Sequence, residues 1–178
     1  MAIIPAKGIL RKLYQDAIQD IQNNSFGFWY TWLQKTFNEH DVYTVTTKFP
    51  LDNASQKVNV VVDRYDASAD DILPVLLWVE LKSLSGSIGQ VESEARDAVE
   101  KYMEQHGVKH VYVITTIGVS FRAWVVTEDR GLQPFHGGPA HGSESDYITA
   151  DSNDARALET FIAKVKSYAP KRVAPVIH

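Results

Sequence analysis

The chain has 178 residues, 44% of them hydrophobic, enough for one globular domain with a core of its own. It has no cysteine, which excludes disulfides and cysteine-ligated zinc, and its formal charge of −4 disfavours a tight architectural nucleic-acid binder while leaving room for a transiently binding enzyme. No leader-like apolar stretch opens the sequence and no segment is apolar enough to span a membrane, so the expected setting is intracellular, cytoplasmic or nuclear, with no membrane partner.

From the N-terminus, Leu10, Leu13, Tyr14, Ala17, Ile18 and Ile21 recur at helical spacing and predict an amphipathic helix, interrupted by Asn23-Asn24-Ser25-Phe26-Gly27. A second short helix carries Trp29, Trp32, Leu33 and Phe37 on one face; rings at that spacing fit a core better than a base-stacking surface. Val42 to Lys48 alternates as a first strand, Phe49 to Asn53 turns the chain, and Lys57 to Tyr65 forms a second strand. A loop gathers the acids between Asp66 and Asp71. The next apolar run, Leu73 to Val79, reads as a third strand buried on both faces.

The chemistry lies at the ends of these strands. Asp63 closes the second, and Glu80-Leu81-Lys82 closes the third. Alternation puts Glu80 and Lys82 on one face and Leu81 on the other. If the strands pair as antiparallel neighbours, Asp63 is expected opposite that pair, and two carboxylates so close need a cation or a proton between them. Mg²⁺ or Mn²⁺ would suit, with Asp63, Glu80 and the Leu81 carbonyl as oxygen ligands and Lys82 beside a metal-bound water. The plain alternative is a solvated ion pair worth about 0–1 kcal/mol. Against it stands the buried character of the run that ends at Glu80.

This arrangement resembles the PD-(D/E)XK nuclease superfamily, with Asp63 as the first acid, Glu80-Leu81-Lys82 as the (D/E)xK element and Val62 where the signature has proline. In that family the lysine leads into a helix and two further strands. Here residues 87–106 read as the helix and residues 110–116 and 120–127 as the strands, so the resemblance covers Lys57 to Thr127. It implies a restriction-endonuclease-like α/β fold, a mixed central sheet of about five strands flanked by helices, in the order ααβββαββα. It also implies metal-dependent hydrolysis of phosphodiester bonds in nucleic acid, with DNA favoured over RNA and a homodimer left open. Some members carry a glutamine on the helix as a further catalytic residue; Gln90 matches it, and Glu94 follows one turn later. A reading from another class is a nuclease-like scaffold without catalysis that binds protein or nucleic acid.

The helix from Ser87 to His106 is expected to bury Ile88, Val91, Ala95, Ala98 and Tyr102 and to end at Gly107. Arg122, on the last strand of the hairpin, is placed to meet a phosphate or to face water. Thr127 to Ala150 reads as a polar loop whose His136 and His141 lack an element to fix them around a transition metal. Asp151-Ser152 then caps a last helix with Ala155, Leu158, Phe161, Ile162 and Val165 inside, and the tail from Pro170 to His178 looks extended. The expected layout is a single domain, residues 1–178: N-terminal helices over 6–39, a core over 40–127 and a C-terminal helix over 152–168. No glycine-rich phosphate loop, dinucleotide fingerprint or serine nucleophile elbow is present.

Overall fold

A computed structural model of the chain describes residues 3–48, 58–65, 73–82 and 87–168; the side chains of residues 21–23, 58 and 82 lie outside that description. In chain order the elements are α1 (Ile9–Gln19), α2 (Ile21–Thr36), β1 (Tyr43–Lys48), β2 (Val58–Arg64), β3 (Val75–Lys82), α3 (Ile88–His106), β4 (His110–Ile117), β5 (Ser120–Thr127), β6 (Gly131–Pro134), β7 (Ile148–Thr149) and α4 (Arg156–Ser167). β1 to β6 pair in sequence order, with β7 on β5. Every pairing is antiparallel except β3 with β4, which are parallel and joined through α3. That exception follows from chain geometry, since parallel neighbours need a crossover long enough to return to the same end of the sheet.

Both faces of the sheet are covered, which is why β3 reads as a continuous apolar run. On one face Val60, Val62, Leu77, Val79, Tyr112, Ile114 and Phe121 pack with residues of α1, α2 and α4, including Trp29, Leu33, Leu158 and Phe161, and with Phe37 just past α2. On the other, Val61, Val75, Trp78, Val111, Val113, Trp124 and Val126 pack under Ala95, Val99, Tyr102 and Met103 of α3. A bulge at the end of β2 sets Val62 opposite Leu77 and Asp63 opposite Val75. Leu76 is the extra residue, and it shares the first core with Leu77.

α3 begins as its sequence predicts. The Ser87 hydroxyl accepts from the Gln90 amide, and Gly107 closes the helix in the left-handed region at φ 63°. Its inward stripe runs through Val91, Glu92, Ala95, Val99, Tyr102 and Met103 rather than through Ala98, which is half-buried. The expected break at residues 23–27 is absent. The chain bends one turn earlier, at Asp20 (φ −139°, ψ 80°), and α2 runs through the Asn-Asn-Ser-Phe-Gly stretch because Phe28, Trp29, Trp32 and Leu33 are all buried along it. Packing outweighs the roughly 1 kcal/mol of unfavourable propensity that a glycine such as Gly27 brings.

The segment expected to be a loop holds β6, a 3-10 turn over Glu144–Asp146 and β7, so the sheet has seven strands rather than about five. Their shortness hid them from a pattern search that needs several alternations. Asp151-Ser152 does not cap α4; a 3-10 turn over Asn153–Ala155 intervenes, and no side chain caps either element. Asp151 instead takes both Arg11 Nη atoms at 2.6 and 2.8 Å, tying α1 to the turn ahead of α4. The expected acidic loop at Asp66 to Asp71, the turn at Phe49 to Asn53 and the extended tail lie outside the described residues.

Truncating Leu158, fully buried between α4 and the sheet, should cost about 2–5 kcal/mol in urea unfolding, whereas Ile9→Ala, at a side chain 54% exposed, should stay within about 0.5 kcal/mol of wild type. Equal losses would contradict the placement of the first core.

Candidate functional site

Five strands each give one polar residue to a single row across the α3 face. Lys48 lies opposite Asn59, Asn59 opposite Glu80, Glu80 opposite Thr115, and Thr115 opposite Arg122. The adjacent row, from Thr46 through Val61, Trp78 and Val113 to Trp124, is almost wholly apolar. The polar row therefore marks the rim of the second core, at the C-terminal end of β3 where the chain leaves for α3.

Glu80 is 2% exposed, and its Oε2 accepts from Trp78 Nε1 at 3.4 Å. Across the ladder, Asn59 Oδ1 is buried with no hydrogen-bond donor. A buried acceptor left in that state calls for a water or an ion. Lys48 Nζ, next in the row, sits 5.7 Å from the Trp78 ring centre and 5.2 Å from that of Tyr102. Those are cation–π distances.

At the other end of the row α3 adds Glu92, a buried acid that the helical pattern alone would have placed among solvated residues. Glu92 Oε1 is 3.4 Å from Arg122 Nη1, and both side chains are almost fully buried. The guanidinium also lies over the Trp124 ring at 4.1 Å and donates to the Pro139 carbonyl at 2.6 Å. Glu92 Oε2 accepts the Gly142 amide at 3.0 Å. A relay completes the cluster: Trp124 Nε1 donates to Thr115 Oγ1 (2.8 Å), the Thr115 hydroxyl contacts the Tyr147 hydroxyl (2.8 Å), and Tyr147 donates to Glu92 (3.3 Å). Burial, with Glu92 nearby, pushes the Tyr147 phenol well above its ordinary range, so it remains a donor at neutral pH. A Cβ on Gly142 would overlap both the Arg122 guanidinium and the Glu92 carboxylate, so a side chain here would have to displace the pair.

The expected metal pair is not assembled. Asp63 lies opposite Val75, while the residue opposite Glu80 is Asn59, so the two carboxylates share a face but stand roughly 13 Å apart along the strands. The reason is elementary: in an antiparallel hairpin the end of the first strand meets the start of the second. An acid able to meet Glu80 has to come from the start of β2. Asp63 is instead buried near Thr46 and Lys48. Leu81 points to the opposite face, as alternation required, packed against the first core, and Lys82 is the last residue of β3, facing Ile117 of β4 in the ladder.

Gln90 is exposed and donates to Glu94 at 2.7 Å, an ordinary pair one turn apart on the helix surface. Arg122 does not face water: it is buried and engaged by Glu92 and the Pro139 carbonyl. His136 packs against the Phe135 ring, His141 is exposed, and no group of three or more histidine or acidic residues able to hold a metal occurs among the described residues. No described helix is long and apolar enough to cross a membrane. Asn59, Thr115, Glu92 and Tyr147 were missed, although Asn59 and Thr115 carry a signal: each is a polar residue interrupting an apolar strand at the end where Glu80 stands. No protein-family model, curated protein or solved structure matches the chain.

Removing one partner of the buried ion pair should be costly. Glu92→Gln leaves the Arg122 charge uncompensated and should lose about 3–5 kcal/mol in urea unfolding, with Gly142→Ala destabilising through the same pair. A loss below about 1 kcal/mol in both would show that the pair is solvated.

Desolvation raises the Asp63 carboxyl, with Lys48 and Thr46 opposing it only in part. The folded state then keeps its proton to higher pH than the unfolded chain, so stability is intact below the ordinary value of 3.8 and falls as pH rises through the raised one. Asp63→Asn should therefore be the more stable protein at neutral pH, with the advantage disappearing as pH approaches 3.8. Urea midpoints across a pH series check this; a variant less stable at every pH would reverse the sign.

Proposed function

We propose that the chain is a PD-(D/E)XK nuclease-like domain of restriction-endonuclease-like architecture, whose phosphodiester-cleaving centre is built on Glu80 and Asn59 rather than on Glu80 and Asp63. The observation that carries the reading is the donorless, buried Asn59 Oδ1 directly across the ladder from the Glu80 carboxylate. Residues opposite one another in an antiparallel pair have Cβ atoms about 5 Å apart, so both side chains can reach one point. Supporting it are the crossover through α3 into β4 and β5 after Lys82, and the charged end of an otherwise apolar β3.

The donor set fits a hard divalent ion. One carboxylate, one amide oxygen and the Leu81 carbonyl are oxygen ligands, and Mg²⁺ in particular keeps several waters and uses substrate phosphate to fill its shell. When bound, the ion would supply an activated water and withdraw charge from the phosphate. The protein's own residues would do the rest: Glu80 and Asn59 would fix position, Lys82, two residues on in β3, would balance negative charge at the attacked phosphate, and the Trp78 indole N–H holds the Glu80 carboxylate. With one carboxylate instead of two, affinity for the ion is expected to be weak, which makes Mn²⁺ the better probe.

The second reading is a scaffold that binds without cutting. It is favoured by one observation, that Glu80 is the sole carboxylate of the polar row. The two readings part on metal.

Under the nuclease reading, Mn²⁺ raises the melting temperature of wild type and of Asp63→Ala alike, fails to do so for Glu80→Gln, and acts at lower concentration on Asn59→Asp, which restores the second acid. Cleavage of mixed single- and double-stranded DNA and RNA should follow the same order. Melting curves that ignore Mn²⁺ in both wild type and Asn59→Asp would leave the scaffold.

A further inference from the structure

Outside the Glu92–Arg122 pair, between α3, the turn leading into β6 and the 137–142 segment, lies a cleft of about 610 Å³. α3 contributes Ser93, Arg96 and Glu100 from one face, the turn contributes Arg130, and the 137–142 segment contributes His141. No phenyl, phenol or indole ring is among its walls.

Its charges are unevenly committed. Glu92 is held by Arg122 and the Gly142 amide. Arg96 contacts the exposed Asp97 carboxylate at 2.9 Å and the Ser93 hydroxyl at 3.4 Å, surface contacts that an incoming anion can replace at little cost. Arg130 forms no ion pair among the described residues. Glu100 is the one wall carboxylate without such a partner. The wall that carries His141 is fixed from behind, because Arg122 binds the Pro139 carbonyl and Glu92 binds the Gly142 amide.

We propose that this cleft binds a phosphate group, held by the guanidiniums of Arg96 and Arg130 with Ser93 and His141 as further donors. Guanidinium forks match the geometry of phosphate oxygens, and a wall already fixed by the buried ion pair reduces the ordering cost of binding. The phosphate could belong to a small phosphorylated compound or to the backbone of a nucleic-acid strand. The proposal does not rest on the metal centre at Glu80, and its test excludes metal.

Calorimetric titrations in EDTA would use inorganic phosphate and, separately, a short single-stranded oligothymidylate, on wild type, Arg96→Ala/Arg130→Ala and Glu100→Gln. Wild type should bind at least one probe, the double variant should bind it about tenfold or more weakly, and Glu100→Gln should bind it more tightly. An oligonucleotide preferred over phosphate, with a log-log salt slope that falls by about 0.7 per lost contact in the double variant, assigns the site to a strand backbone. Phosphate bound as well as the oligonucleotide assigns it to a small phosphorylated compound. Both arginines are at least partly exposed, so the variants should melt with wild type. Absence of binding by either probe to wild type, or affinity unchanged in a double variant that melts normally, would overturn the proposal.

Discussion

β3 is buried from Val75 to Glu80 and paired on both edges, so its register against β2 and β4 fixes which residues can act together anywhere on the sheet. Each residue has one neighbour on either side at a distance side chains can bridge, and a slip by one position would turn its whole apolar set to the wrong face. The two cores remove that freedom. Leu77 and Val79 are committed to α1, α2 and α4, Trp78 is committed to α3, and Glu80 is then held where the α3-side core ends. The polar row is a consequence of this locking rather than an independent device.

Within the row, the two ends have different physics. At the Arg122 end no buried side-chain polar atom of Thr115, Arg122, Glu92 or Tyr147 is left without a partner, and the ion pair is reinforced by an indole face, a phenol and two backbone groups from the 137–142 segment. Such a pair need not raise stability over a well-packed apolar substitute, but breaking it is expensive, so it fixes one arrangement of a segment that has little apolar surface to fix it otherwise. At the Asn59 end the balance is incomplete, with a buried oxygen lacking a donor next to a buried carboxylate. A protein interior rarely leaves an acceptor in that condition, and the proposed centre rests on it.

The sequence made the strands from β1 to β5, α3 with both of its ends, and the core rings of α2 legible, because each has enough repeats for its period to be counted. It also placed Glu80, since a charged residue ending an apolar strand is visible in one dimension. The partner of Glu80 was not legible by looking for a second acid. It follows from strand direction, and direction assigns Asn59, a residue whose amide does not advertise metal chemistry. Glu92 and Arg122 were hidden for a different reason: each sits where periodicity allows either burial or solvent, and only the return of the chain through Pro139 and Gly142 decides between them. The short β6 and β7 borrow their strand character from β5 and carry too few residues to show a period.

Of the features that follow from the packing of the α3 face, the setting of Trp78 has a use of its own. Its indole N–H touches Glu80 while its ring lies beneath the Lys48 ammonium, so the chromophore is placed between the anion and the cation of the candidate centre. Indole emission is sensitive to the local field, and a change in charge at Glu80 alters that field at contact range. Trp78 is thus a native reporter of charge at that centre once the other three tryptophans of the chain are replaced.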